Sequence, residues 1–149
     1  MKTTRLMPLL AAALLGAGVH ILPGATVPAG TVLTVRTLRA ISSVDPRGTS
    51  APAQLERAVT VNGVVAIPAG THFGGKVVSS RRLASSSEKL TIDLTSVHLA
   101  GHDVPITTTG PQFLSNDIKT KRGVGVSRVD YTVARGKVMQ FKLARPLVF

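Results

Sequence analysis

The chain has 149 residues, of which 18 are Lys or Arg and 7 are Asp or Glu, so its formal net charge at pH 7 is +11. It has no cysteine, which excludes disulfides, thiolate chemistry and a lipid anchor on a lipobox cysteine. The length suits a single domain, and the charge either attracts polyanions or only keeps the protein soluble.

The N-terminus has the pattern of a secretory signal peptide. Lys2 and Arg5 precede an apolar stretch, residues 6–22, that has no formally charged side chain when His20 is neutral. A retained membrane anchor is the less favoured alternative. The stretch is barely long enough for a membrane span, which needs about 20 apolar residues, and proline and glycine interrupt it. We therefore expect residues 1–25 to be a signal peptide, cleaved between about residues 17 and 25, with no stable membrane span afterwards. The mature chain would then work in the periplasm or outside the cell.

The remaining residues, 26–149, predict a single all-β domain, either a small barrel or a sandwich. Apolar residues recur at every second position, as in strands with one covered face. The predicted strands are residues 31–38, 58–61, 64–67, 76–79, 90–99, 104–108 and 138–143.

Two short motifs predict hairpins, and one strand predicts a bulge. Asn62-Gly63 lies between the second and third predicted strands, and both central residues of a type I′ turn need positive φ. Residues 100–103 predict a second hairpin. Within residues 90–99 the apolar positions are first even-numbered and then odd-numbered, which predicts a β-bulge near Thr95 or Ser96.

A short repeat marks the entry to several strands. The sequence at residues 27–33 recurs at 67–73 with the same Pro-Ala-Gly-Thr centre, and a fainter copy occupies 133–139. We expect proline to preset φ at the second turn position and glycine to supply positive φ, so that each copy forms a corner before a strand.

Nothing in the sequence predicts an enzyme. The acidic residues are scattered, so no pair is marked for acid–base work, and no phosphate loop or dinucleotide motif occurs. His72, His98 and His102 could meet a zinc ion in principle, but exposed surface positions are the favoured interpretation. We therefore predict no catalytic residue, no cofactor and no metal site.

Two kinds of binding residue are suggested instead. Residues 110–123 are polar and weakly patterned, which predicts a long loop or a mobile insert, and Phe113 and Leu114 within it are candidate partner-binding residues. Strand edges are the other candidate protein-binding surface. The candidate polyanion-binding residues are Arg81, Arg82, Lys119, Lys121 and Arg122. Few aromatic residues accompany them, so a specific nucleic-acid partner is not expected.

Several of these motifs together resemble a known domain. They are Pro28-Ala29-Gly30-Thr31 before a strand, the Asn62-Gly63 hairpin, the second corner at 67–71 followed by Gly74-Gly75, and the strand–turn–strand segment at 90–106. In these features the chain resembles the periplasmic β-barrel domain of the TrbI-like scaffold subunit of conjugation and type IV secretion machines. More weakly, residues 27–34 are similar to the strand entry of SAF domains in flagellar and pilus assembly chaperones.

The resemblance implies a role in envelope assembly. We therefore expect an exported, non-catalytic β-barrel module that binds or scaffolds protein partners in the bacterial cell envelope. The alternative is a basic module that binds a polyanion such as a wall polymer, lipopolysaccharide or nucleic acid.

Overall fold

The computed structural model describes residues 24–79, 90–110, 112–113, 117–123 and 126–149. Most of the predicted signal peptide lies outside these residues. Within them every regular element is a β-strand, which confirms the all-β prediction, and no helix suited to crossing a membrane occurs in this part of the chain. The strands are β1 Thr26–Val27, β2 Val32–Thr37, β3 Ile41–Ser42, β4 Ala53–Leu55, β5 Val59–Val61, β6 Val64–Ile67, β7 His72–Ser79, β8 Thr91–Leu99, β9 His102–Pro105, β10 Gln112–Phe113, β11 Asp117–Gly123, β12 Val126–Val133, β13 Val138–Lys142 and β14 Leu147–Val148.

The central feature is a curled antiparallel sheet. Its strand order is β10-β8-β7-β4-β2-β13, and β9 also pairs with β8. The curl brings the β13 end of the sheet to the segment that follows β9. There Thr109 N–H donates to Lys142 O at 2.8 Å, Ala144 N–H donates to Thr107 O at 2.8 Å, and Thr108 forms a bridge with Leu143. These bonds join the segment after β9 to the end of β13. The sheet therefore curls into a half-barrel around one enclosed core.

Alternating residues of the strands fill that core. On β2, Leu33 and Val35 are buried while Val32 and Arg36 are exposed. Phe141 on β13 and Phe73 on β7 are the largest fully buried side chains, and aliphatic residues of β8 pack in the same cluster. Because the chain has no disulfide, packing of these apolar side chains is the main source of stability.

Both predicted hairpins are confirmed. Asn62 and Gly63 have φ values of 51° and 79°, as a type I′ turn requires, and they join β5 to β6. The second hairpin is tighter than predicted. Its turn is Ala100-Gly101 alone, with φ values of 48° and 83°, and Leu99 pairs with His102 at the start of β9.

The predicted bulge is also confirmed. Gly74 pairs with Ser96 and Gly75 pairs with Leu94, so Thr95 is the extra residue on β8. This one residue allows Leu94 and Val97 to face the same core although their sequence parity differs.

The three repeat copies form three corners with the same hydrogen bonds. Their glycines, Gly30, Gly70 and Gly136, have φ values of 84°, 87° and 85°. In each corner the glycine N–H donates to the carbonyl of a residue at the end of a neighbouring strand. The N–H of that same residue donates back to the carbonyl of the residue that follows the glycine. These acceptors are the carbonyls of Leu143, Leu55 and Thr37, at 2.7, 2.8 and 2.8 Å. Each corner therefore fixes the start of one strand against the end of another.

In the corners at Pro28 and Pro68, the proline occupies a different position of the turn from the predicted one. Thr31 N–H and Oγ1 both donate to Pro28 O, at 3.3 and 2.7 Å, so the proline is the first residue of the turn and not the second. Its carbonyl closes the turn, while the glycine supplies the positive φ at the third position. Thr71 makes the same two bonds to Pro68, at 3.3 and 2.8 Å.

Two predictions about strands need correction. β7 begins at His72, four residues before the predicted start, because Gly74 and Gly75 lie inside the strand instead of before it. The prediction of a loop over residues 110–123 is wrong for β10, which pairs with β8, and for β11, which pairs with β12. Backbone pairing needs no apolar alternation, so the polar composition of this segment did not reveal its strands.

Candidate partner-binding site

An apolar cleft lies between the N-terminal strand β1 and the β5–β6 hairpin. Its volume is about 380 Å³. None of the residues that line it is charged: they are Ala25, Thr26, Val61, Asn62, Val64, Val65 and Ala66. A cleft with this lining has no group for acid–base chemistry, but it suits contact with an apolar segment of a partner.

The hairpin presents two consecutive valines to solvent beside its turn, and its register shifts farther along β6. Val59 pairs with Ile67 and Thr60 pairs with Val65, so Ala66 is an extra residue on β6. Ala66 and Ile67 are both buried, while Val64 and Val65 are 51% and 38% exposed. A regular strand would have alternated, and the bulge instead lets the consecutive residues Ala66 and Ile67 both be buried, whereas Val64 and Val65 lie nearer the turn and are both exposed.

The hairpin also has backbone groups on its outer edges that no other described strand pairs with. It forms a two-stranded sheet of its own. Among the described residues, no backbone hydrogen bond joins its outer edges to another strand. Such an edge is a template for an added strand, because each free N–H and C=O can pair with a partner's backbone.

The opposite wall of the cleft is held by pairing between β1 and β14. β1 pairs with β14, and Gly24 N–H donates to Phe149 O at 2.7 Å. Val27 and Leu147 bury one side of this pair in the core. On the other side Thr26 lies opposite Val148, which is 61% exposed. Val148 therefore adds an exposed apolar residue next to Thr26, which lines the cleft.

An ion pair lies outside the cleft, on the outer face of the sheet. Arg36 Nε donates to Glu56 Oε2 at 2.7 Å, and its Nη2 also contacts Glu56 Oε1. This hydrogen bonding lowers the pKa of Glu56 below its ordinary value and raises the pKa of Arg36. Both side chains are partly exposed, so the pair joins β2 to the end of β4 and is not part of a buried reaction centre.

His72, His98 and His102 are exposed, in agreement with the favoured interpretation. His98 Nδ1 lies 2.9 Å from Asp103 Oδ1, across the hairpin, and His102 Nδ1 lies 3.3 Å from Ala100 O. Within the described ranges no three His, Asp or Glu residues come together as metal ligands.

The structure places the predicted binding residues in different parts of the chain. Phe113 lies on β10, while Leu114 lies outside the described residues. Arg81 and Arg82 also lie outside them. Lys119, Lys121 and Arg122 lie together on β11. The partner-binding role of Phe113 and Leu114 stays a prediction, and removing residues 112–121 to test it would delete paired strands instead of a loop.

Sequence reasoning missed the apolar cleft although the sequence holds a signal for it. Val64 and Val65 directly follow the Asn-Gly turn, and adjacent apolar residues cannot both face the core of a regular strand. The wall formed by β1 gave no comparable signal, since its position depends on pairing with residues more than 100 positions away.

Comparisons with known proteins support the fold. No model of a known protein family matches the chain, and no curated protein matches it in sequence. Among solved structures, the chain is similar to ComB10 of the Com type IV secretion system of Helicobacter pylori, with a TM-score of 0.56. The two are 13% identical, and the match covers 83% of this chain and 90% of that chain. At this identity the likeness shows the fold alone.

Proposed function

We propose that this chain is a non-catalytic module of the bacterial cell envelope that binds or scaffolds protein partners. The observation that carries the proposal is the uncharged cleft beside the open hairpin edge, where Val64 and Val65 are exposed. Apolar contacts and an unpaired strand edge are the features used to bind an extended protein segment. The fold shared with a component of a secretion system favours the same class of function.

The proposed location is the periplasm or the cell exterior. The cationic and apolar N-terminal residues support export, and the absence of cysteine removes the lipoprotein route to membrane attachment. In this proposal the protein reaches the envelope as a secreted domain and is retained there by its partners.

Salt distinguishes protein binding through the cleft from binding through net charge. The test is a pull-down of the exported protein from its native envelope at about 0.1 M and about 1 M salt, where the Debye length falls from about 10 Å to about 3 Å. Partners held by apolar contacts and backbone pairing should remain at the higher concentration. Loss of every protein partner at about 1 M salt would contradict the proposal.

A further inference from the structure

A second pocket, separate from the apolar cleft, lies where the curled sheet closes, between the end of β9 and the segment after β13. Its volume is about 320 Å³. Backbone hydrogen bonds hold its walls in place: Ala144 N–H donates to Thr107 O at 2.8 Å, and Ile106 N–H donates to Thr95 O at 3.0 Å. It is here called the Arg145 pocket, and the residues that line it are Pro105, Ile106, Thr107, Leu143, Arg145, Pro146 and Leu147.

The lining combines an apolar floor with a stiff rim. Leu143 and Leu147 line the pocket although they are buried in the core, so they form its floor. Pro105 and Pro146 are exposed, one on each wall. A proline ring fixes φ, so these walls need little rearrangement when a ligand enters. Small-molecule sites have this form, a largely pre-formed apolar pocket with a few polar groups that orient the ligand.

One cation is available in this pocket. Arg145 is exposed, and it alone is charged among the described residues of the lining. In the described part of the chain no carboxylate pairs with it. Two carboxylates on neighbouring strands have partners of their own. Asp93 accepts a hydrogen bond from Thr108 Oγ1, and Asp103 Oδ1 lies 2.9 Å from His98 Nδ1.

We propose that the Arg145 pocket binds an aliphatic carboxylate of roughly ten non-hydrogen atoms. The size follows from the volume, because a water-sized group occupies about 30 Å³. The aliphatic chain would lie against the leucines and prolines, and the carboxylate, ionised at neutral pH, would accept two parallel N–H bonds from the Arg145 guanidinium. This binding is additional to the proposed protein binding in the cleft and uses different residues.

The experiment titrates the full exported chain with octanoate, which matches this size, and with octanamide, which has the same shape without the charge. Backbone amide chemical shifts, measured by NMR, locate the binding: Thr107 and Arg145 report the pocket, whereas Val64 and Val65 report the apolar cleft. Binding in the millimolar range is expected for a ligand this small. Octanoate should bind at the pocket about fivefold more tightly than octanamide, because it adds an exposed ion pair.

Arg145→Gln should abolish this preference, so that octanoate and octanamide bind the variant equally well. Lys142→Gln is the matched control, because Lys142 is exposed, lies outside the pocket lining and carries the same charge. It should keep the preference at about fivefold. Equal loss of the preference in the two variants would show that only net charge matters and would overturn the proposal. Octanoate shifts at Val64 and Val65 without shifts at Thr107 would overturn it as well.

A third probe, N-acetyl-leucine, distinguishes the two sources of such a carboxylate. It mimics the C-terminal residue of a polypeptide, whereas octanoate mimics a free fatty acid. Tighter binding of N-acetyl-leucine would identify the ligand as a polypeptide C-terminus, and tighter binding of octanoate would identify it as a fatty acid. If neither probe shifted the pocket amides at about 10 mM, the pocket would not be a carboxylate site.

Discussion

Gly75 lies where two neighbouring backbone segments approach β7 closely. A Cβ atom at this position would lie 2.6 Å from Ala51 O and 3.0 Å from Asp93 O. Both atoms belong to backbone, so Gly75→Ala must displace the segment before β4 or part of β8. The displacement also disturbs the hydrogen bond from Ala51 N–H to Gly75 O, which is 2.8 Å long.

The expected loss for Gly75→Ala follows from these contacts. Overpacking a core costs about 1–3 kcal/mol, and one weakened backbone hydrogen bond adds about 1 kcal/mol. Replacing a strand glycine by alanine returns about 0.5–1 kcal/mol of backbone entropy. We therefore expect a net loss of about 2–3 kcal/mol in the free energy of unfolding, measured by urea denaturation, and a fall in Tm of roughly 10 °C.

The adjacent substitution Gly74→Ala is the matched control. Its Cβ would meet the Oγ of Ser96, a hydroxyl that can rotate away, and the next nearest atom is Ser96 Cβ at 3.8 Å. We expect a change within about 1 kcal/mol, because the same entropy gain is opposed by a side chain that can move. If Gly74→Ala destabilises the protein as much as Gly75→Ala does, the close backbone approach is not the reason for a glycine at position 75.

Three further predictions concern the hairpin, the ion pair and export. Gly63→Val should lower the free energy of unfolding by about 1 kcal/mol or more in the same urea assay, because a β-branched residue resists the φ of 79°; an unchanged midpoint would contradict this. The pKa of Glu56 is lowered by Arg36, so its contribution is present above the ordinary glutamate pKa and is lost as pH falls through the lower folded value. The wild type should therefore exceed Glu56→Gln in Tm at neutral pH, and this difference should shrink below about pH 4; a constant difference would refute the assignment. Mass spectrometry of the exported protein should find a first residue between Gly18 and Thr26, whereas a chain that begins at Met1 in the envelope fraction would rule out cleavage.

The sequence predicts this fold best where local chemistry decides the backbone. Two positive φ values favour Asn62-Gly63, and the change of apolar parity within β8 predicted a bulge near Thr95 or Ser96, where Thr95 is the extra residue. The sequence predicts the fold less well where pairing between residues far apart in the chain determines the structure. The two-residue strands β1, β3 and β14 are too short to show a period, and they exist because residues far along the chain pair with them.

The candidate site shows the same division. The exposed valines beside the Asn-Gly turn could have been predicted from the sequence, whereas the pairing of β11 with β12 depends on which residues lie opposite each other. Lys119, Lys121 and Arg122 were identifiable as a basic cluster, but only the register brings Arg128 opposite Lys121. When the apolar residues of a polar segment do not alternate, the sequence predicts neither where its strands lie nor which strand pairs with them.

The proposed protein binding is tested most directly by changing the charge of the cleft without changing the core. Val64→Glu places a carboxylate in the cleft, and Val32→Glu places one on the outer face of β2. The two valines are 51% and 47% exposed, so neither substitution should alter Tm appreciably. We predict that Val64→Glu loses the salt-resistant envelope partners in a pull-down while Val32→Glu retains them. Retention of every such partner by a folded Val64→Glu protein would contradict the account.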